Sequence, residues 1–201
     1  VVVIPSLHRV IVPEPYKSRY TYGNWFRAAM LFIFTWLALS FILINPPIGD
    51  IGAPDIAGKM TVVIVDNEDV LIDSENLTSK GGNFILDRNG STGEAWMIFS
   101  VNDNTDPGLA KLLVTSHYNA PGELDVVHYN KTVGDNSDCP SIWDGLRESQ
   151  QNSIITHDYD ECVAINLGRL SEGDYHITIT IIEEGDPWTN TRVIEYDLVV
   201  V

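Results

Sequence analysis

Five histidines, two cysteines and several knots of carboxylates are the side chains in this sequence with chemistry to offer. His117 and His128 fall on what read as consecutive strands joined by a turn at 119–122. If Tyr118 pairs with Glu123, His117 faces Leu124 and His128 faces Leu113. That separation is about 13 Å along the ladder, too far for one metal ion to hold both rings. A loop-built copper site wants two His, a Cys and usually a Met, and no Met lies near either cysteine. Neither G-x-S-x-G nor H-E-x-x-H occurs, which removes the common hydrolytic arrangements. The histidines read as solvated or structural groups, and the expectation is a chain that is not an enzyme.

Hard cations prefer clustered carboxylate and carbonyl oxygens. Three clusters qualify: Asp66, Glu68 and Asp69; Asp103, Asn104 and Asp106; Asp135, Asn136 and Asp138. None has EF-hand spacing, so solvated turns are the simpler account. Ca2+ is the one cofactor the sequence admits, with Asp103, Asn104, Asp106, Asp135 and Asp138 as its candidate ligands. Cys139 and Cys162 show no C-x-x-C spacing that would suggest zinc. They are expected to pair, because both fall on the side of the chain expected to lie outside the cytoplasm, where disulfides persist. Asn76, Asn89 and Asn130 each open an N-x-S/T sequon, and a glycan requires that same exterior location.

That location follows from the most apolar stretch in the chain. Residues 28–44 (AAMLFIFTWLALSFILI) carry no charge, and crossing a hydrocarbon core takes roughly 20 helical residues. Their Leu, Ile and Phe side chains favour insertion by about 3 to 6 kcal/mol. Arg9, Lys17, Arg19 and Arg27 precede the stretch against Glu14 alone, which predicts an N-terminus inside and a single pass. The competing reading is a cleaved signal peptide. The stretch is long for one, and its nearest small-residue site, Gly52-Ala53, is spoiled by Pro54.

Beyond the span the balance is strongly acidic. Of 12 Lys plus Arg, four precede its end, leaving 8; of 28 Asp plus Glu, one does, leaving 27, so the remainder carries a formal charge of −19. Such a surface repels phosphates and anionic headgroups and excludes nucleic acid as a partner. It favours solubility, cations or basic partners.

Four pieces follow. Residues 1–24 form a cytoplasmic stub whose apolar runs are broken by Pro5, Pro13 and Pro15. It is too short for a core of its own. Residues 25–45 are the membrane helix, and 46–59 a spacer rich in Pro and Gly. Residues 60–201 are one domain in which period-two alternation dominates. Tyr175, Ile177, Ile179 and Ile181 share one strand face, and Ile194, Tyr196, Leu198 and Val200 share another. Further strands are expected at 61–65, 83–86, 95–102, 111–118, 123–129 and 163–167, with Asn-Gly, Asp-Pro-Gly and Ala-Pro-Gly turns between them. Short strands at such spacing predict an all-β antiparallel sandwich, with at most a short helix at 141–151.

The run Leu170-Ser-Glu-Gly173-Asp-Tyr175-His-Ile177-Thr-Ile179 resembles the L-x-x-G-x-Y-x-I-x-I lead-in to a late strand of immunoglobulin-like and fibronectin type III-like sandwiches. The resemblance implies a tyrosine corner, in which the Tyr175 hydroxyl bonds backbone a few residues upstream and its ring enters the core. It covers the C-terminal end of the chain well and the rest only as a strand pattern. Antibody-type domains carry a Cys two residues after that Tyr, where this sequence has Ile177. A Cys139–Cys162 bridge would then staple a local loop instead of joining two sheets. Trp96 is expected in the core.

The sequence therefore points to a non-catalytic accessory or scaffold subunit. Residues 1–45 would engage the lipid bilayer and integral membrane protein subunits, and the acidic Ig-like ectodomain would face surface-layer or envelope proteins. The rival expectation is a cation- or ligand-binding ectodomain, with Ca2+ in the acidic loops as its leading form and a copper or enzymatic site behind it.

Overall fold

A computed structural model describes Pro13 and residues 21–45, 48–50, 52–66, 69–73, 81–185 and 188–201, with the backbone alone described for 69–73. The chain divides into two compact units, residues 1–50 and 51–201. All but Pro13, Thr21–Asn45 and 48–50 of the first unit lie outside the described residues, including most of the stub and two of the three spacer prolines, Pro46 and Pro47.

In the first unit, helix α1 spans Tyr22–Leu43, 22 residues, or about 33 Å at the standard rise. It starts three residues earlier than the span read from sequence. Its apolar side chains run around the whole circumference, and none is buried against protein. A helix of that kind is built for an apolar solvent or for a core. Ser40 Oγ turns back on its own helix, donating to the Trp36 carbonyl at 2.8 Å, and just past the helix Asn45 Nδ2 donates to that of Phe41 at 2.6 Å. α1 is long and apolar enough to cross a membrane.

The second unit is predominantly β. Its strands are β1 (Asp55–Asp66), β2 (Asp69–Asp73), β3 (Asn83–Leu86), β4 (Glu94–Asn102), β5 (Lys111–Tyr118), β6 (Val126–Thr132), β7 (Glu161–Gly168), β8 (Gly173–Glu184) and β9 (Thr189–Val200). They form a four-stranded sheet, β2-β1-β4-β7, and a five-stranded sheet, β3-β9-β8-β5-β6. Every pairing is antiparallel except β3 with β9. One apolar layer joins the sheets, with Met60, Val62, Met97, Phe99 and Ile165 from the first meeting Phe84, Leu112, Ile177, Ile179 and Tyr196 from the second.

The predicted alternation holds on the five-stranded sheet. Tyr175, Ile177, Ile179 and Ile181 are buried on β8, and Ile194, Tyr196, Leu198 and Val200 on β9. The four-stranded sheet differs because it is covered on both faces, and Val62 through Val65 are buried without a break. Helices α2 (Cys139–Trp143) and α3 (Glu148–Ile154) supply the second cover, packing Ile142, Leu146 and Ile154 over Val63, Ile98 and Ala164. The single short helix expected at 141–151 is thus two, separated by turns in which Gly145 and Leu146 donate to the carbonyls of Ile142 and Trp143.

β1, β2 and β6 depart from expectation. β1 begins at Asp55, inside the stretch read as spacer. β2 has no period-two signature, since its short Val-Leu-Ile run is hemmed by acids. β6 begins three residues later than predicted, because the loop after β5 runs on through Asp125. Trp96 borders the second apolar cluster. Met97 and Phe99 take the inner face of β4, so Trp96 points the other way and lies half-buried against the cluster beneath α2 and α3.

Candidate functional site

The exposed face of the five-stranded sheet carries a row of histidines and carboxylates that the sequence did not disclose. His117 on β5 and His176 on β8 are direct cross-strand partners. Their chain neighbours Ser116, Tyr175 and Ile177 are buried, so both rings point outward. His117 Nδ1 lies 2.9 Å from Asp125 Oδ1, and His176 Nδ1 lies 2.9 Å from Asp197 Oδ1. Glu195 brings Oε1 to 3.9 Å from His176 Nε2. The hydrogen bond to Asp197 raises the His176 pKa, burial offsets part of that, and the charges of Asp197 and Glu195 add to it. Finding this row required knowing that β5 lies beside β8, a neighbour far along the chain.

His128 belongs to a different environment. The β5–β6 ladder pairs Leu113 with Asn130 and Val114 with Tyr129, then slips, so that Thr115 meets Val127. His128 sits in the resulting bulge and does not face Leu113, as the sequence register had it. Its Nε2 lies 2.7 Å from Ser116 Oγ. Burial lowers its pKa, partly offset by a hydrogen bond with the Asn166 backbone on β7. Since Ser116 and His117 are successive residues of one strand, His128 and His117 lie on opposite sides of the sheet.

Three of the carboxylates proposed for Ca2+, Asp103, Asp106 and Asp135, are engaged locally. Asp103 accepts from the Asn104 amide at 2.8 Å. The Thr105 hydroxyl lies 2.8 Å from Asp103 Oδ2 and 2.6 Å from Oε1 of the nearly buried Glu183. Asp106 accepts from the Gly108 amide at 3.0 Å and caps the 3-10 turn Pro107–Leu109. Asp135 accepts from the Thr132 hydroxyl at 2.6 Å, while Asp138 is exposed. Asn136 exchanges two hydrogen bonds with the Ala164 backbone, at 2.9 and 3.1 Å, standing in for a strand on the free edge of β7. Among the described residues, no group of three or more His, Cys, Asp or Glu is arranged to hold a metal ion. Asp66 is described, whereas Glu68 and the Asp69 side chain lie outside the described residues.

Cys139 and Cys162 are disulfide-bonded, with Cα atoms 6.0 Å apart, which ties α2 to β7. Asn89 is exposed at a turn with φ of 44°, and Asn130 is exposed on the edge strand β6. Asn76 lies outside the described residues. Trp96 lines a cleft of about 410 Å3 together with Asp66, Glu94, Asp138 and Arg169. Tyr175 makes the upstream backbone contact that the lead-in motif implied: its hydroxyl donates to the Ser171 carbonyl at 3.2 Å and accepts from the Ser171 amide at 3.0 Å. No protein-family model and no curated protein matches this chain.

Proposed function

We propose that this chain is a single-pass, membrane-anchored and non-catalytic accessory or scaffold subunit, which presents an acidic immunoglobulin-like domain outside the cytoplasm. The observation that carries the reading is α1. A helix apolar on all sides, with no protein burying it, exposes Leu, Ile and Phe side chains that water would penalise and a bilayer would welcome. The basic flank at Arg9, Lys17, Arg19 and Arg27 favours an N-terminus inside. The disulfide and the exposed Asn89 and Asn130 sequons suit an exterior C-terminal unit.

The immunoglobulin-like assignment rests on strand order together with the Tyr175 corner. The run β1-β4-β7 follows the order A-B-E, and β9-β8-β5-β6 follows G-F-C-C′, with β3 added in parallel at the G edge. Tyr175 stands near the start of the F-like strand, where a tyrosine corner belongs. Such a fold displays surfaces and does not itself specify chemistry, which agrees with a structural role.

Membrane fractionation and native mass spectrometry test the proposal. The chain should resist extraction by alkaline carbonate, and protease added to sealed cells should remove its C-terminal unit. Mild detergent should release it with a stoichiometric partner, which is lost on deleting residues 1–24. Carbonate release would overturn the anchor, and a lone monomer would overturn the subunit role.

A further inference from the structure

We propose that His117 and His176 form a two-histidine chelate for a late first-row divalent metal ion, Cu2+ before Zn2+, on the exposed face of the five-stranded sheet. Residues directly opposite on antiparallel strands hold their Cβ atoms about 4.5 to 5.5 Å apart, and these two are in that relation. At that separation two imidazoles on the same face can reach one ion.

The orientation of each ring is already fixed. Histidines that bind metals commonly give their other ring N–H to a carboxylate, which sets the tautomer and raises the basicity of the ligating nitrogen. Both rings here have that arrangement, His117 with Asp125 and His176 with Asp197, each at 2.9 Å through Nδ1. Nε2 is therefore the nitrogen left to ligate in both cases, with Glu195 Oε1 already 3.9 Å from that of His176. The two carboxylate-backed rings stand side by side on adjacent strands. Access is good, since the side chains are 41% and 38% exposed.

The metal class follows from the donors. Imidazole nitrogen suits Cu, Ni and Zn, and within that series affinity peaks at Cu2+. Glu195 Oε1, 3.9 Å from His176 Nε2, is an oxygen able to move onto a bound ion. Because no third His, Cys, Asp or Glu among the described residues is arranged with the pair to hold an ion, water would fill the remaining positions and the ion would exchange freely. The acidic surface raises the local concentration of cations. The inference stands whether or not α1 crosses a bilayer.

The test is titration of the full chain in detergent micelles with Cu2+, followed by calorimetry and by electron paramagnetic resonance. The expected result is one saturable site whose spectrum reports two imidazole nitrogens, with Ca2+ failing to compete. His117→Ala and His176→Ala should each remove one nitrogen and weaken binding about tenfold or more, and Asp197→Asn should weaken it by about 10- to 100-fold with both nitrogens retained. His157→Ala should change nothing. Circular dichroism of each variant checks that the sheet is intact. The proposal is overturned if no saturable site is found, if Ca2+ displaces Cu2+, or if both alanine variants keep the parent spectrum and affinity.

Discussion

The Tyr175 hydroxyl and the Ser171 backbone exchange two hydrogen bonds, at 3.0 and 3.2 Å, pinning the turn into β8 to the ring that opens the strand. The glycine of the motif has its own cause here. Gly173 has φ of +140°, and a Cβ on it would stand 2.6 Å from the Tyr118 ring, which packs on Tyr175 with centroids 4.9 Å apart. Tyr175→Phe keeps the ring and strands the Ser171 groups. Ser171 is exposed, so water recovers part of the loss, and the expected cost is about 1 kcal/mol. That should lower the melting temperature of the domain by about 2 to 4 °C, read by differential scanning calorimetry.

What the sequence disclosed tracks how many faces of each sheet are covered. β8 and β9 alternate because one side meets the core and the other meets water, so Ile177 and Tyr196 were assignable by period alone. β1 is buried on both sides, and its early part, with Gly58 and Lys59 inside it, looked like a continuation of the proline-rich spacer. The Tyr175 corner was legible because its parts are close in sequence. The His117–His176 pair was not, since it depends on which strands are neighbours and in what register. His128 shows the same limit at shorter range, where one bulge in β6 defeated a register built from the turn.

Gly58 provides a stability prediction for the same region. It sits at the break in the β1–β4 register with φ of +56°, and a Cβ there would stand 2.3 Å from the Ser153 carbonyl oxygen and 2.8 Å from that of Ile154. The backbone of β1 can approach α3 that closely only without a side chain. Gly58→Ala should displace α3, break the 2.5 Å bond from Ser100 Oγ to the Ile154 carbonyl, and cost about 2 kcal/mol or more. Urea unfolding reads this as a lower midpoint.

The disulfide supports the same helical cover from its other end. Cys139 and Cys162 are 23 residues apart, and closing a loop of that length stabilises by about 3 kcal/mol in the chain-entropy model. The double variant Cys139→Ser, Cys162→Ser should lose about that amount in urea unfolding. Amide hydrogen exchange should accelerate first in α2 and α3, with β8 and β9 still protected, because the inner core does not include the bridge.

His128 predicts a pH dependence with a definite sign. Burial lowers its pKa in the folded state, so between that lowered value and about 6.5 the unfolded chain binds the proton and the folded chain does not. Stability is complete above about pH 6.5 and declines as pH falls through that window. His128→Gln, which keeps a hydrogen-bonding group near Ser116 and does not titrate, should flatten this part of the profile. Urea midpoints measured from pH 7.5 to 5 compare the two proteins, and an unchanged slope would contradict the buried setting of the ring.

The span itself can be tested by placing one charge in its middle. Phe34 lies near the midpoint of α1 and is 65% exposed, so replacing it disturbs no packing within the fold. Phe34→Arg removes a favourable residue and adds a charge at the centre, a net cost of about 3 to 4 kcal/mol. This is comparable to the whole insertion energy of about 3 to 6 kcal/mol from its Leu, Ile and Phe side chains. The expected outcome is a large fall in the carbonate-resistant fraction. Phe26→Arg, at the end of the helix beside Arg27, can reach the headgroups and should leave that fraction intact. Equal behaviour of the two variants would mean that α1 meets no hydrocarbon core, because only a slab of finite thickness distinguishes the middle of a helix from its end.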